Sequence, residues 1–544
     1  MPVYNDLINL YYRTWFRYHP EVAVDLGIEG YGDRLTPYGD DDIGALVALH
    51  EKLINTISEL DTSALDADQQ IDLHLMYGQA LIESKQLIDQ DWRCRDPGRF
   101  LPVNAIYQLT VRPLRDRGGA LRARLQAIPG YLRGAKSHLQ TEPELIPPIW
   151  LEAAIIEASE GARYLRKLHH HPVLQGYRLE QELGAAASAL QDFVAFLEKS
   201  IGTRAQGDFA CGRDMFELLL THRHGLDISA DTLRAFGERL VTDISQQLRD
   251  VTVRLQGDDN VAALTMRIQE QFRPERDLIA SYKSQMQSAH EFVKDRHLLS
   301  LPAQQFLHVV ETPNFLRHQI PFAAYWNPMP TDPAQTAYYY VTPPRDEHAW
   351  GEHNLLNIQH TCAHEAWPGH HLQIVTANSC SSSRSLPRLI NTSATMYEGW
   401  ALYSEQLMAE QGYLQQPESE FVLLKDRLWR AVRVLLDVDL HVHGQNLAVA
   451  AQAMHERLGF THAQAMGELS WYTRAPTVPM GYATGWALIN TARTRMQAIT
   501  AQFDLCHFHD QLLSAGSIGL PWVIQRVFGE PLWKSVRQSV LNPV

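Results

Sequence analysis

The chain has 544 residues, of which 45% are hydrophobic and 20% are charged, so it is long enough and apolar enough to bury a large core. Its 48 basic and 62 acidic residues give a formal charge of −14 at pH 7, which repels the phosphates of nucleic acid. These numbers exclude a mainly disordered chain, and we expect no nucleic-acid partner.

The cysteines and the amino-terminal residues favour a soluble, cytoplasmic protein. The five cysteines are odd in number and lack C-x-x-C spacing, which is typical of reduced thiols. The first residues, MPVYND, have neither the basic nor the apolar region of a signal peptide. No apolar run approaches the roughly 18 residues of a spanning helix, so we expect no membrane partner.

Helical periodicity dominates the chain and predicts a mainly α fold. Apolar residues recur at three- and four-residue spacing in segments 43–60, 66–90, 119–140, 178–200, 230–256, 275–297, 418–445 and 484–502. Two segments have strand-like composition, Phe306–Val310 and Tyr338–Thr342. The segment 202–208 is the predicted boundary between an N-terminal helical region, residues 1–205, and a second region, residues 206–544.

The most informative segment is residues 364–373, HEAWPGHHLQ, which begins like the zinc-binding motif H-E-x-x-H. In that motif two histidines one helical turn apart bind zinc, and the glutamate acts as a general base. Here Pro368 and Gly369 stand where the second histidine is expected, and His370 and His371 follow them.

A regular helix would not bring either later histidine to a metal shared with His364. Six residues turn the helix by about 600°, which puts His370 about 120° from that face, and seven residues move His371 about 10.5 Å along the axis. Pro368 disrupts helical hydrogen bonding, and Gly369 adopts backbone angles closed to other residues. The pair therefore predicts a break that re-aims His370. A helix that simply ends here, with surface histidines in the next turn, is the alternative.

A second segment, residues 397–405, YEGWALYSE, carries two carboxylates on one helical face. Glu398 and Glu405 are seven residues apart and therefore project to nearly the same side. Glu398 would be a third zinc ligand that leaves the fourth position to water, and Glu405 would orient a ligand from behind. An exposed amphipathic helix with ordinary surface acids is the alternative.

Two further segments offer polar side chains for a cleft. Arg433, Asp437 and His441 are spaced four residues apart on an otherwise apolar helix, so they share one face. His441 would donate to an oxyanion and Arg433 would meet a carboxylate; a salt-bridge ladder facing solvent is the alternative. In segment 474–485, the Tyr482 hydroxyl is either an oxyanion donor or part of a cleft wall.

Together these segments resemble the DUF885 family of bacterial proteins of unknown function, which is grouped with the zincin-like metallopeptidases. The pattern H-E-x-x-P-G-H, followed by E-G-W-A-x-Y-x-E, matches here in order and spacing. Weaker similarities at residues 20–27, 212–220 and 508–521 extend the resemblance over nearly the whole chain. It implies a mainly helical, zincin-like metallopeptidase with a deep cleft and a small β element near the active-site helix.

The resulting hypothesis is a zinc metallopeptidase, or a closely related amide hydrolase, that uses one catalytic zinc ion. Three side chains would bind the metal: His364, His370 and Glu398. His371 is the alternative second histidine. Glu365 would take a proton from water and pass it to the leaving amine. Behind the ligands, Glu405 and Asp437 would support the site.

The predicted substrate is a short peptide or a small amide, because a deep cleft in a helical body excludes folded proteins. Tyr482 or His441 would bind the oxyanion. Arg433 or Arg474 would bind a substrate carboxylate, as in a carboxypeptidase or a dipeptidase. The strand around Tyr339 would pair with an extended peptide by strand addition.

Two other functions fit the same residues. One is a metal-dependent hydrolase of a non-peptide amide conjugate. The other is a non-catalytic binding protein with a decayed site, but Glu365 beside three candidate ligands argues against decay, because a binding module needs no base. The histidines at 169–171 lack convergent ligands and predict a surface tract rather than a second metal site.

Overall fold

A computed structural model describes residues 2–274, 277–317, 320, 322–344 and 347–542 of the chain, which fold into a mainly helical protein with a small sheet. Before residue 206 the helices are α1 (Pro2–Trp15), α2 (Pro20–Asp25), α3 (Asp40–Glu59), α4 (Ala67–Asp89), α5 (Trp92–Arg95), α6 (Val103–Val111), α7 (Arg117–Leu139), α8 (Pro148–Leu168) and α9 (Glu180–Phe196). The predicted mainly α class is confirmed.

After residue 206 the chain continues through a second series of helices. They are α10 (Arg213–His222), α11 (Ala230–Gln256), α12 (Val261–Gln271), α13 (Leu278–Asp295), α14 (Glu347–Glu352), α15 (Leu355–Glu365), α16 (His370–Ser379), α17 (Leu386–Ile390), α18 (Ala394–Glu410), α19 (Pro417–His441), α20 (Leu447–Leu458), α21 (His462–Tyr472), α22 (Gly481–Ile499), α23 (Leu505–Leu513), α24 (Leu520–Phe528) and α25 (Glu530–Val540).

Local end signals explain why the predicted helices match the observed ones so closely. The segment 230–256 coincides with α11. Ser229 caps its first turn by accepting a hydrogen bond from the Thr232 amide at 3.2 Å, and Gly257 ends it with a left-handed φ of 92°. For the predicted helix 275–297, the structure describes α13 from Leu278, and residues 275 and 276 lie outside the described residues.

The described strands form one mixed sheet in the order β1-β3-β2. β1 (Phe306–Glu311) pairs in parallel with β3 (Thr336–Val341), and β2 (Ala323–Trp326) pairs with β3 in antiparallel fashion. β1 and β3 confirm the two predicted strands, whereas β2 was not foreseen. Because β3 is hydrogen-bonded on both sides and Tyr339 is fully buried, the prediction that this strand adds a peptide strand is wrong.

Several apolar clusters form the core and place α15 at their junction. The first cluster comes from residues 4–201, with Phe315, Leu316 and Tyr340 added from later in the chain. A second joins α10, α11 and α18 to α22–α25, and a third joins α11 and α19 to α20 and α21. α15 packs with α13 and β3 in a further cluster. The boundary near residue 205 stays a prediction.

Three sequence features have plain structural counterparts. The five cysteines, all within the described residues, are unpaired, as their spacing predicted. The histidines at 169–171 are exposed, also as predicted. In the part of the chain that the structure describes, no helix is both long and apolar enough to cross a membrane.

Candidate metal centre

The chain turns sharply between α15 and α16, and this turn re-aims His370. α15 ends three residues before Pro368, whose carbonyl accepts a hydrogen bond from Trp400 Nε1 at 2.8 Å. At Gly369 a Cβ atom would lie 1.7 Å from the His364 carbonyl oxygen, so only glycine fits there. The break predicted from the Pro-Gly pair is therefore present.

His364, His370 and Glu398 converge on one point. One nitrogen or oxygen atom from each lies within 4.8 Å of the others. The Nε2 atoms of His364 and His370 lie 3.5 Å and 3.2 Å from Glu398 Oε2, and the two imidazole planes meet at 87°. This arrangement joins two helices across the turn to a third, α18, as the sequence predicted.

The donor set fits a zinc ion. Two imidazole nitrogens and one carboxylate oxygen are the protein ligands of many catalytic zinc sites. Glu398 Oε2 is buried and makes no well-aligned hydrogen bond among the described residues, although the Nε2 atoms of His364 and His370 lie close to it, so a cation held between the three groups would balance its charge. Burial raises the pKa of Glu398, but His370 and His364 outweigh it, so the group stays ionised.

Glu405 orients His364 from the side opposite Glu398. Its Oε1 lies 2.7 Å from His364 Nδ1, which leaves Nε2 directed at the convergence point. A carboxylate behind a histidine ligand fixes its tautomer and increases its basicity. Burial alone would lower the pKa of His364, but its contacts with Glu398 and Glu405 raise it to about 10.

Glu365 is placed beside the cluster at the end of α15. It remains partly exposed, so a substrate or water can reach it. Burial raises the pKa of Glu365 above its usual value, while His370 and His364 act in the opposite direction. A carboxylate whose pKa lies closer to neutrality is better suited to exchange protons.

Two tyrosines flank the cluster on opposite sides. The Tyr482 ring stacks on His364 with a centroid distance of 6.3 Å, and the Tyr397 ring lies 6.3 Å from that of His370. Burial first, and Glu398 second, raise the pKa of both phenols, so both remain donors at neutral pH. Tyr482 was predicted, whereas Tyr397 was missed although it directly precedes Glu398.

His371 points away from the convergence point. Its Nδ1 lies 3.0 Å from the hydroxyl of Tyr325 on β2, and its ring packs against Trp367. Burial lowers the pKa of His371 to about 3. The structure thus brings His370, not His371, to the other two candidate ligands. Sequence reasoning missed Tyr325, because β2 itself was not predicted.

His441 lies outside the cluster. Its Nε2 lies 3.0 Å from the carbonyl oxygen of Tyr472, and its ring packs against Phe209 and Phe216. Burial lowers the pKa of His441 to about 4. The prediction that His441 binds an oxyanion is wrong, because the ring is buried among these residues and makes no described contact with the candidate ligands.

Arg433 supports Tyr482, and two of its three guanidinium nitrogens are bound within the protein. Its Nε donates to the Tyr472 hydroxyl at 2.7 Å, and its Nη2 donates to Glu468 at 3.0 Å. The guanidinium lies 4.5 Å from the centre of the Tyr482 ring, a cation–π distance. The predicted substrate-binding role of Arg433 therefore becomes a positioning role.

Arg474 is bound elsewhere in the molecule. Its Nη1 donates to Asp96 at 2.7 Å and its Nη2 donates to the carbonyl oxygen of Trp150 at 3.0 Å. These partners lie in the first part of the chain, and they occupy both terminal nitrogens. The prediction that Arg474 holds a substrate carboxylate is wrong for this reason.

Asp437 fixes the segment that leads into α22. Its two carboxylate oxygens accept hydrogen bonds from the backbone amides of Thr477, at 3.1 Å, and Met480, at 3.0 Å. Burial raises the pKa of Asp437 to about 7 in spite of these bonds. Asp437 therefore supports the start of the Tyr482 helix rather than a metal ligand.

The fold and this cluster define a mainly helical protein with a His-His-Glu candidate metal site. Residues 20–527 match the family model described as "Bacterial protein of unknown function (DUF885)", and the chain belongs to that family. The family resemblance predicted from the motifs is confirmed. No match was found among curated proteins.

Two solved structures share the fold. One, titled "The structure of a putative lipoprotein of unknown function", is from Shewanella oneidensis; it is 21% identical, with a TM-score of 0.77 over 96% of this chain and 99% of its own. The other, a "putative lipoprotein" from Colwellia psychrerythraea, is 18% identical, with a TM-score of 0.77 over 99% of both chains. At these identities the likeness establishes the fold alone.

Proposed function

We propose that this protein is a zinc-dependent hydrolase that cleaves the amide bonds of short peptides in a zincin-like site. The observation that carries the proposal is the convergence of His364, His370 and Glu398 beside Glu365. A cluster that served only to bind a metal would not need a partly exposed carboxylate next to it.

The side chains divide the chemistry between them. His364, His370 and Glu398 would hold zinc, which supplies Lewis acidity to a scissile carbonyl and to water when it is bound. Glu365 accepts a proton from the attacking water and delivers it to the leaving amine. Tyr482 donates a hydrogen bond to the oxygen that becomes negatively charged.

The exposure of the site favours short substrates. The side chains of His370 and Glu398 are only 11% and 12% exposed, so the convergence point lies below the surface of the protein. Glu365, Tyr397 and Tyr482 beside it are also only partly exposed. A folded protein would not reach the cluster, whereas an extended chain end would.

The test is cleavage of a mixed short-peptide library by zinc-loaded protein, followed by mass spectrometry. We expect cleavage by the wild type and loss of at least about a hundredfold in rate for Glu365→Gln, because the general base is removed. Glu456→Gln is the matched control. Glu456 also follows a histidine on a helix, but it is exposed, and its described hydrogen bond is with Gln452 rather than with a residue of the cluster.

Metal content provides an independent measurement. We expect about one zinc per chain in the wild type and in Glu365→Gln, and a strong reduction in Glu398→Gln. Bound zinc without cleavage of any peptide would contradict the peptidase proposal and point to a non-peptide amide. Equal cleavage by the wild type and Glu365→Gln would contradict the assignment of the base.

A further inference from the structure

Arg223 brings an unpaired positive charge to the His370 side of the cluster. It directly follows α10 and is partly exposed. Within the described part of the chain, its guanidinium makes neither a hydrogen bond nor an ion pair. Burial lowers the pKa of Arg223 from its usual value, as expected for a deeply set cation without a counter-charge.

The neighbouring residue fixes where Arg223 lies. His224 is fully enclosed, with Nδ1 at 2.8 Å from Ser393 Oγ and Nε2 at 2.9 Å from Thr477 Oγ1. Ser393 is the N-cap of α18, whose first turn carries Tyr397 next to the candidate ligand on that helix. The contact of His224 with Ser393 therefore places this part of the chain at the start of α18, one turn before the tyrosine that flanks His370, and an electrostatic interaction between Arg223 and Tyr397 agrees with that position.

Glu83 is the acid whose charge acts on Arg223, but it is already bound by other groups. Glu83 lies 2.5 Å from His19 Nε2 and 3.2 Å from His50 Nε2, and it accepts a hydrogen bond from Trp15 Nε1 at 2.9 Å. Glu83 therefore does not form an ion pair with Arg223, and the charge of the guanidinium remains available to a ligand.

Two other arginines, Arg427 and Arg430 on α19, differ from Arg223 in this respect. Arg427 donates to Gln406 and lies 4.4 Å from the centre of the Trp486 ring. Arg430 stacks 4.2 Å over Trp429 and lies 3.5 Å from Asp426. These side chains already have partners within the protein, as Arg433 and Arg474 also do.

We propose that Arg223 binds the terminal carboxylate of the substrate, so that the preferred substrates are short peptides with a free C-terminus. The partly exposed guanidinium of Arg223 has no counter-charge among the described residues, and an incoming carboxylate would supply that charge. The planar guanidinium also matches a carboxylate in a two-point contact. The catalytic part of this inference rests on the proposed function, but the binding part does not.

The experiment compares alanine tri- and tetrapeptides as free acids and as C-terminal amides. Binding to Glu365→Gln protein, which does not turn the peptides over, is measured by calorimetry with and without Arg223→Gln. We expect the acids to bind more tightly than the amides, and Arg223→Gln to weaken acid binding by about tenfold or more while leaving amide binding unchanged. Arg223→Lys should restore part of the difference, because the charge remains but the two-point contact is lost.

Arg249→Gln is the matched control, since it removes the same charge from an exposed position on α11. Thermal unfolding of each variant separates a loss of binding from a loss of folding. Equal binding of acids and amides by the wild type, or no binding of the acids at millimolar concentration, would overturn the inference.

Peptide cleavage distinguishes this inference from the proposed function. Cleavage of acids and amides at equal rates would refute carboxylate recognition and leave the peptidase proposal intact. Binding of acids that depends on Arg223, without any cleavage by zinc-loaded wild type, would refute the peptidase proposal and leave the carboxylate site intact.

Discussion

Single residues of the candidate centre take their orientation from side chains behind them. His364 is held by Glu405 at 2.7 Å, and Tyr482 is stacked under Arg433 at 4.5 Å. Each supporting contact restricts the side chain to one orientation. A site whose chemistry depends on precise geometry requires such restriction. Sequence spacing identified these residues as a group but did not reveal which of them face the metal position.

Asp437 is expected to make the stability of the protein depend on pH. Its usual pKa of 3.8 is raised to about 7 by burial, so between about pH 4 and pH 7 the unfolded chain ionises while the folded chain keeps the proton. The free energy of unfolding therefore falls as the pH rises through this window, by an amount on the order of 3 kcal/mol from this group. Below pH 4 this loss of stability is absent, because Asp437 is protonated in both the folded and the unfolded chain.

Denaturant unfolding at pH 4.5 and pH 7 checks this expectation. Asp437→Asn removes the titration, so the variant should lose less stability across the window than the wild type. Asp250→Asn, an exposed acid on α11, is the control and should follow the wild type. The same pH dependence in Asp437→Asn and the wild type would contradict the prediction.

The candidate ligands could be predicted because they lie close together in the chain. The Pro368-Gly369 break and the seven-residue spacing of Glu398 and Glu405 are local patterns with local consequences. Arg223 could not be predicted, because its location depends on contacts of His224 with residues far along the chain. The wrong assignments, such as Arg474, failed for the same reason.

At the level of elements, two glycines let α18 and α22 cross in close contact. A Cβ atom on Gly399 would lie 2.5 Å from Gly485 Cα, and one on Gly485 would lie 2.0 Å from the Thr395 carbonyl oxygen. α18 carries Glu398 and α22 carries Tyr482, so the distance between these two helices at the crossing sets the separation of a candidate ligand and the proposed oxyanion donor.

Gly399→Ala is expected to impair both stability and activity. The added methyl group pushes the helices apart, which costs about 1–3 kcal/mol, typical of overpacking. It also moves Tyr482 away from the cluster, so the rate of peptide cleavage should fall by more than the substrate affinity. Gly467→Ala on α21, where a Cβ would meet nothing within 4 Å, is the control and should be neutral or slightly stabilising. Normal stability of Gly399→Ala would show that the crossing tolerates a wider separation.

Long helices were predictable and the short strand was not. An amphipathic segment such as 230–256 repeats its pattern over many turns and carries caps at both ends. β2 has only four residues, Ala323–Trp326, all of them partly exposed, and it exists because β3 offers an edge to it. Pairing of this kind depends on tertiary contacts rather than local propensity.

At the level of the whole molecule, a network of ion pairs ties the first helices to the segment between two of the candidate metal ligands. Arg388 on α17 donates to Asp72 at 2.7 Å and to Asp68 at 2.8 Å, both of them on α4. The Tyr4 hydroxyl of α1 completes the network by donating to Asp72 at 2.8 Å, and Arg526 also binds Asp68. These contacts connect the beginning, middle and end of the chain.

Arg388→Met is expected to destabilise the whole protein by about 3–5 kcal/mol. The substitution leaves the buried Asp72 without its partner, and an uncompensated buried charge is strongly unfavourable. Urea unfolding followed by circular dichroism measures the effect. Arg384→Met, an exposed arginine four residues earlier and just before α17, is the control and should change stability by less than about 0.5 kcal/mol. Similar midpoints for both variants would contradict this account.

The position of α17 has a consequence for metal affinity. It lies in the largely helical segment that joins His370 to Glu398, so Arg388 ties the middle of that connecting segment to α4. A segment that is held at its middle loses less conformational entropy when its two ends, His370 and Glu398, are brought together. The free-energy cost of assembling the candidate ligands is therefore smaller. If the candidate site binds zinc as proposed, its affinity is therefore set in part by amino-terminal helices that contribute no ligand to it.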